Sequence, residues 1–137
     1  MSVSIYAYLV VGVEIDNAQL YNEIDVPGCR HNPSPEVQFC PQCGRAAWIK
    51  ESVPIPGYED EDKYHQLDVV CIGCAGDGRR VVGRELAEIS DYNDEYAASV
   101  EASTISDTVT RVKAKLAGTP LETAGEVKPM VCMYISY

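Results

Sequence analysis

The chain has 137 residues, 46% of them hydrophobic and 23% charged, a balance that fits one ordinary globular domain with a buried core and excludes a disordered tail or a coiled coil. Its 11 Lys and Arg stand against 21 Asp and Glu, a net charge of -10, so its field repels phosphate backbones and disfavours nucleic-acid binding unless a local basic patch overrides it. Six cysteines, four of them in two Cys-x-x-Cys pairs, are too sparse for a disulfide scaffold and favour metal binding in a reducing compartment.

The apolar stretch from Val3 to Val13 has no basic residues before it and is too short to span a bilayer, so it predicts a strand of a cytoplasmic protein rather than a targeting or membrane segment. Odd positions Val3, Ile5, Ala7, Leu9, Val11, Val13 and Ile15 are apolar, which predicts one core face. Asp16 to Tyr21 then suits a turn or short helix, and Val26-Pro27-Gly28 a chain reversal into a metal-centred loop module at about 26–48. Residues 51–64 carry two prolines, a glycine and the run Glu59-Asp60-Glu61-Asp62, and predict a solvated loop.

Asp77-Gly78 between two β-branched runs predicts a two-residue hairpin joining strands near 67–76 and 79–89. A further short strand is expected around Ala97 to Ala102. Ile105, Val109, Val112 and Leu116 then form one apolar stripe of a helix, with Thr104 and Asp107 in capping-box spacing and Gly118 and Pro120 ending it. Arg111, Lys113 and Lys115 towards its C-terminal end complement the helix dipole. In the last strand, Met130 to Tyr137, Val131, Met133 and Ile135 share one side, and Cys132, Tyr134 and Ser136 the other. The expected fold is α+β: an antiparallel sheet whose terminal strands are covered by one main C-terminal helix, with a zinc-stapled loop module, all in a single domain 1–137.

Cys29-Arg30-His31 and Cys40-Pro41-Gln42-Cys43-Gly44 supply three sulfurs and one imidazole, a ligand set suited to tetrahedral Zn2+. Cys29 and His31, at i and i+2 in an extended segment, project to one side. The rival set keeps Cys40 and Cys43 and adds Cys71 and Cys74, as in a zinc ribbon. Inside a strand, however, residues three apart face opposite sides of the sheet, which favours the first set. Cys71 and Cys74 lack the following helix that a thioredoxin-like redox pair needs, so they and Cys132 read as buried structural thiols. No residue is assigned a catalytic role: a catalytic zinc keeps an open position, and His31 is followed by Asn32-Pro33 where a deaminase wants a glutamate two residues on. His65 reads as a solvated surface residue.

With YAYLVVGVEI at its start, GCRHNPSPEVQFCPQCGRAAW in its middle, and a final amphipathic helix and aromatic strand, the chain resembles small zinc-site accessory proteins of unknown function encoded by tailed bacteriophages. That resemblance implies a compact protein made inside a bacterial host, with Cys29, His31, Cys40 and Cys43 as ligands, and implies no reaction. The expected function is therefore non-enzymatic: protein–protein interaction with a host or phage protein, or with a second copy in a homo-oligomer. Tyr6, Tyr8 and Tyr134 would form the contact patch on an outer sheet face beside Cys132. Two other readings remain open. One is nucleic-acid binding through Arg79, Arg80 and Arg84, or its inverse, an acidic mimic of nucleic acid; the other is a zinc-dependent hydrolase with an unrecognised site.

Overall fold

A computed structural model describes residues 2–74 and 76–137. The long N-terminal alternation forms β1 (Ser4–Asp16), and a single 3-10 turn over Asn17–Leu20 follows it. Asp16 accepts from the Ala18 N–H at 3.0 Å while Gln19 accepts from the Asp16 N–H at 2.9 Å, so the two side chains satisfy the turn's free donors reciprocally. Then follow β2 (Tyr21–Pro27), β3 (Trp48–Pro54), β4 (Lys63–Tyr64), β5 (Leu67–Cys74), β6 (Arg79–Ser90), α1 (Ala102–Leu116) and β7 (Lys128–Ser136).

Five strands make the main sheet, in the order β4-β5-β6-β1-β7, and β2 and β3 make a separate two-stranded ribbon. The main sheet is antiparallel except at one place: the end of β5 pairs parallel with β7, Gly73 opposite Tyr134 and Cys74 opposite Ile135. This extra pairing curls the sheet onto itself and gives it two apolar interiors. On one face, Val11, Val13, Ile15 and Val82 pack with Val112 and Leu116 of the helix. On the other, Val10, Val70, Val81 and Cys132 close a smaller cluster.

At the centre, Gly12 stands opposite Gly83. A Cβ on either glycine would overlap the facing backbone carbonyl, of Val82 or Val11 respectively, so the close approach of β1 and β6 requires both to be glycine. The β1–β6 register shifts between Leu9 and Val10, where Leu9 faces Ala87 and Val10 faces Glu85. Leu86 is the extra residue of this bulge, and it packs on the helix side.

Several expectations need correction. The outward side of β7 is the one carrying Val131 and Met133, 78% and 52% exposed, whereas Cys132 is buried. The helix covers only part of β1 and β6, and the curl encloses the opposite side of β7. Residues 97–101 form no strand, and the helix begins earlier than expected, capped by Glu101 without a side-chain hydrogen bond. Thr104 and Asp107 are therefore inside the helix, and the Thr104 carbonyl accepts from the Thr108 hydroxyl instead.

Val26-Pro27-Gly28 is no reversal but the end of β2, continued by the Gly28 N–H donating to the Ala47 carbonyl at 2.9 Å. Residues 51–64 are not a free loop: β3 runs to Pro54, and Ile55, Tyr58 and Tyr64 are core residues. The β5–β6 connection is also longer than two residues, since the last pair is Ile72 with Arg79. Asp77 closes it by accepting from the Cys74 N–H at 2.8 Å. The part of the expected strand 67–76 that falls on Ala75 lies outside the described residues.

Candidate metal centre

The ribbon holds the candidate metal-ligating residues at its far end. β2 and β3 pair in register from Tyr21 opposite Pro54 to Pro27 opposite Trp48, and the chain between them, 28–47, folds back on itself. Gly28 starts this loop in tight apposition to Ala46, whose carbonyl a Cβ would overlap. Phe39 bridges to Ala46, and the Ala47 N–H donates to the Gln38 carbonyl at 2.9 Å. Between these two ties, the Cys40 N–H donates to the Arg45 carbonyl and the Gly44 N–H to the Cys40 carbonyl, each at 2.8 Å. This is a tight knuckle, and Gly44 completes it with φ 72°, a conformation that suits glycine.

The Cys29, Cys40 and Cys43 sulfurs and an imidazole nitrogen of His31 all lie within 4.8 Å of one another. A tetrahedron with metal–sulfur bonds of about 2.3 Å has edges of about 3.8 Å. The donor atoms are thus spaced for one ion after a small contraction, and the Cys40 sulfur already stands 3.5 Å from His31 Nδ1. Three thiols and an imidazole fit a borderline-soft divalent cation and suit a hard oxygen-seeking one poorly. The cluster could hold a metal ion, and four protein donors leave no vertex for water.

The thiol chemistry agrees with this. Burial opposes ionisation of Cys40, but the N–H groups of Cys43 and Gln42 point at its sulfur and, with the neighbouring Cys29 and Cys43 thiols, bring it down to about 6. The His31 N–H favours the Cys29 thiolate, yet burial and the adjacent Cys40 and Cys43 sulfurs outweigh it and hold Cys29 above its ordinary value. Cys40 is therefore ready as a thiolate, and a bound cation would draw Cys29 into the ionised state as well. Cys40 is buried and Cys43 exposed, with Arg30 and Arg45 lining the open side. With a divalent ion held by three thiolates, these two cations would offset the surplus negative charge.

The other cysteines lie elsewhere. Cys71 is exposed on β5, and Cys74, at the end of that strand, has its sulfur 3.7 Å from the Tyr137 hydroxyl. Among the described residues the only close group of metal-ligating side chains is the one on the ribbon. Gly73, with a φ of 78°, interrupts the regular strand between Cys71 and Cys74, so simple alternation does not set the sides on which they lie. Contrary to expectation, Cys71 is exposed and Cys74 only half-buried, whereas Cys132 is buried within the curl.

Tyr6, Tyr8 and Tyr134 do lie together. The Tyr6 and Tyr8 rings stack with centroids 6.4 Å apart, and Tyr6 meets Tyr134, its cross-strand partner, at 6.3 Å. Their face is not the flat outer surface expected, since Cys132 beside them is enclosed by the curl and Tyr8 packs on the smaller core. The bulge at Leu86 also puts Glu85 and Glu88, normally on opposite faces, on the same side as Tyr8. Burial, with Glu88 and Glu85 nearby, pushes the Tyr8 phenol up to about 12. Burial and Glu88 likewise raise Glu85 above the usual carboxylate range. Sequence reasoning missed these acids because the bulge that aligns them leaves no mark in the alternation.

His65 is exposed, as expected, but its ring meets Tyr64 edge-on at 4.6 Å and occupies the space a Gly57 side chain would need. No helix is long and apolar enough to cross a membrane among the described residues. Comparison of the chain with protein families, curated proteins and solved structures finds no match.

Proposed function

We propose that this chain is a non-enzymatic zinc protein, an accessory factor of a tailed bacteriophage that works in the host cytoplasm by contact with another protein or with a second copy of itself. The observation that carries this reading is the closed donor set of Cys29, His31, Cys40 and Cys43. Three sulfurs and a nitrogen suit zinc best among common divalent ions, and a site with four protein donors staples a loop instead of activating water. The contact surface in this reading is the clustered Tyr6, Tyr8 and Tyr134, since tyrosine supplies area at low entropic cost.

Native mass spectrometry tests the metal and the assembly together. One zinc per chain is expected in the wild type and in Cys71→Ser/Cys74→Ser, and none in Cys40→Ser. Cobalt substitution should give a four-coordinate spectrum with no exchangeable water; an exchangeable water would refute the structural role. Tyr6→Ser/Tyr134→Ser, which spares Tyr8 and its packing on the smaller core, should abolish any mass above the monomer or any measured partner binding while retaining zinc. Unchanged association in that variant would remove the tyrosine surface from the reading.

A further inference from the structure

In a chain with 21 acidic residues and 11 basic ones, three of those cations line one cleft. The cleft, about 710 Å³, runs between α1 and β6, with Arg84 on the strand side and Arg111 and Lys115 on the helix. Arg111 and Lys115 are one helical turn apart and so share a face. Gln66, at the β4–β5 turn, draws the two sides together: its carbonyl accepts from Arg84 at 3.3 Å and its side-chain oxygen from Lys115 at 2.7 Å. Both acceptors are neutral, so they position the cations without cancelling their charge.

Compensation from carboxylates is slight. Asp68 approaches Arg84 at 3.9 Å, but it already pairs with Lys63 and accepts from the Glu85 N–H at 2.9 Å. Arg111 has no carboxylate partner among the described residues, and it lies before the last turn, where only Lys113 and Lys115 complement the helix dipole. The floor between the cations is aliphatic: Leu67 and Val112 are each 1% exposed and Leu86 is half-buried. Thr108 has its hydroxyl committed to the Thr104 carbonyl. Among the described residues no aromatic ring lines the cleft, so it lacks the stacking platform that a nucleobase would use.

We propose that this cleft is a binding site for a medium-chain aliphatic carboxylate, its alkyl body lying on Leu86 and Ala114 above the buried Leu67 and Val112 and its carboxylate held by Arg111 with Arg84 and Lys115. Guanidinium groups pair with a carboxylate through two parallel hydrogen bonds, and the apolar floor adds a contribution that grows with chain length. The site is distinct from the ribbon and does not depend on the metal.

The test is titration of the metal-loaded, 15N-labelled full chain with octanoate, followed by amide shifts. Saturable shifts are expected at residues 84–86 and 108–115, with an apparent Kd that rises with added salt. Acetate, which lacks the alkyl body, and octylamine, which reverses the charge, should not produce them. Arg111→Gln keeps a good helix former at an exposed position and should weaken octanoate by about tenfold with the spectrum otherwise unchanged. Absence of shifts at about 5 mM octanoate, equal shifts with octylamine or acetate, or undiminished binding in Arg111→Gln would each overturn the proposal.

Discussion

The ribbon and the curled sheet bury very different amounts of apolar surface. In the sheet, β1 is paired along both edges and its side chains enter two apolar clusters, so burial on both faces holds the strands. In the ribbon, most residues of both strands are exposed, including Ile24 and Ile49, and the loop at its tip buries only Cys40 and Ala47. A two-stranded hairpin with so little core is marginal in water by itself. With a metal bound, the donor cluster would supply what burial does not, so that one chain would stabilise one part by the hydrophobic effect and another by coordination.

A matched pair of substitutions separates the two regions. Gly83 and Gly28 each face a carbonyl oxygen that a Cβ would overlap. Gly83→Ala should cost about 4 kcal/mol or more, because the clash falls between two central strands, and thermal melting should show a destabilised or unfolded protein. Gly28→Ala should instead weaken metal retention, read by competition with a chromophoric chelator, and leave the sheet's melting transition near its original place. Equal loss of sheet stability in both variants would break the comparison.

Leu116→Ala, at the buried end of the helix stripe, should cost about 2–4 kcal/mol in chemical denaturation without affecting metal content. A smaller effect belongs to alkaline pH. Tyr8 and Tyr58 are both raised from 10.0 to about 12, chiefly by burial. A raised folded-state value means that the native protein holds these protons more tightly than the unfolded chain. The associated stability is complete below pH 10 and lost as pH rises towards 12, with absorbance at 295 nm showing the Tyr8 and Tyr58 phenols ionising late. At the bottom of the scale is the exposed ion pair of Lys50 and Asp25 across the ribbon, 2.8 Å apart. Asp25→Asn should leave melting and metal binding unchanged, as exposed pairs usually do.

The donor cluster and the helix stripe were legible in the sequence because both depend on local spacing. Cys40-Pro41-Gln42-Cys43-Gly44 encodes its own turn, and Ile105, Val109, Val112 and Leu116 lie on one face whatever they pack against. β1 was legible as a strand for the same reason, but its second buried face was not, because Val10 is covered by Val70, Val81 and Cys132 from distant strands. The same long-range curl explains why Cys132 is enclosed while Val131 faces outward. Tyr58 and Tyr64 were hidden by the acidic residues between them, which stay at the surface while the aromatic rings turn inward.

The most direct test of the two-means account is an amide correlation spectrum of the metal-loaded chain before and after complete chelation under reducing conditions. The account predicts that signals from residues 28–47 collapse towards random-coil positions while those of β1, β5, β6, β7 and α1 stay dispersed and nearly unmoved. Collapse across the whole spectrum, or a loop that remains ordered without metal, would contradict it.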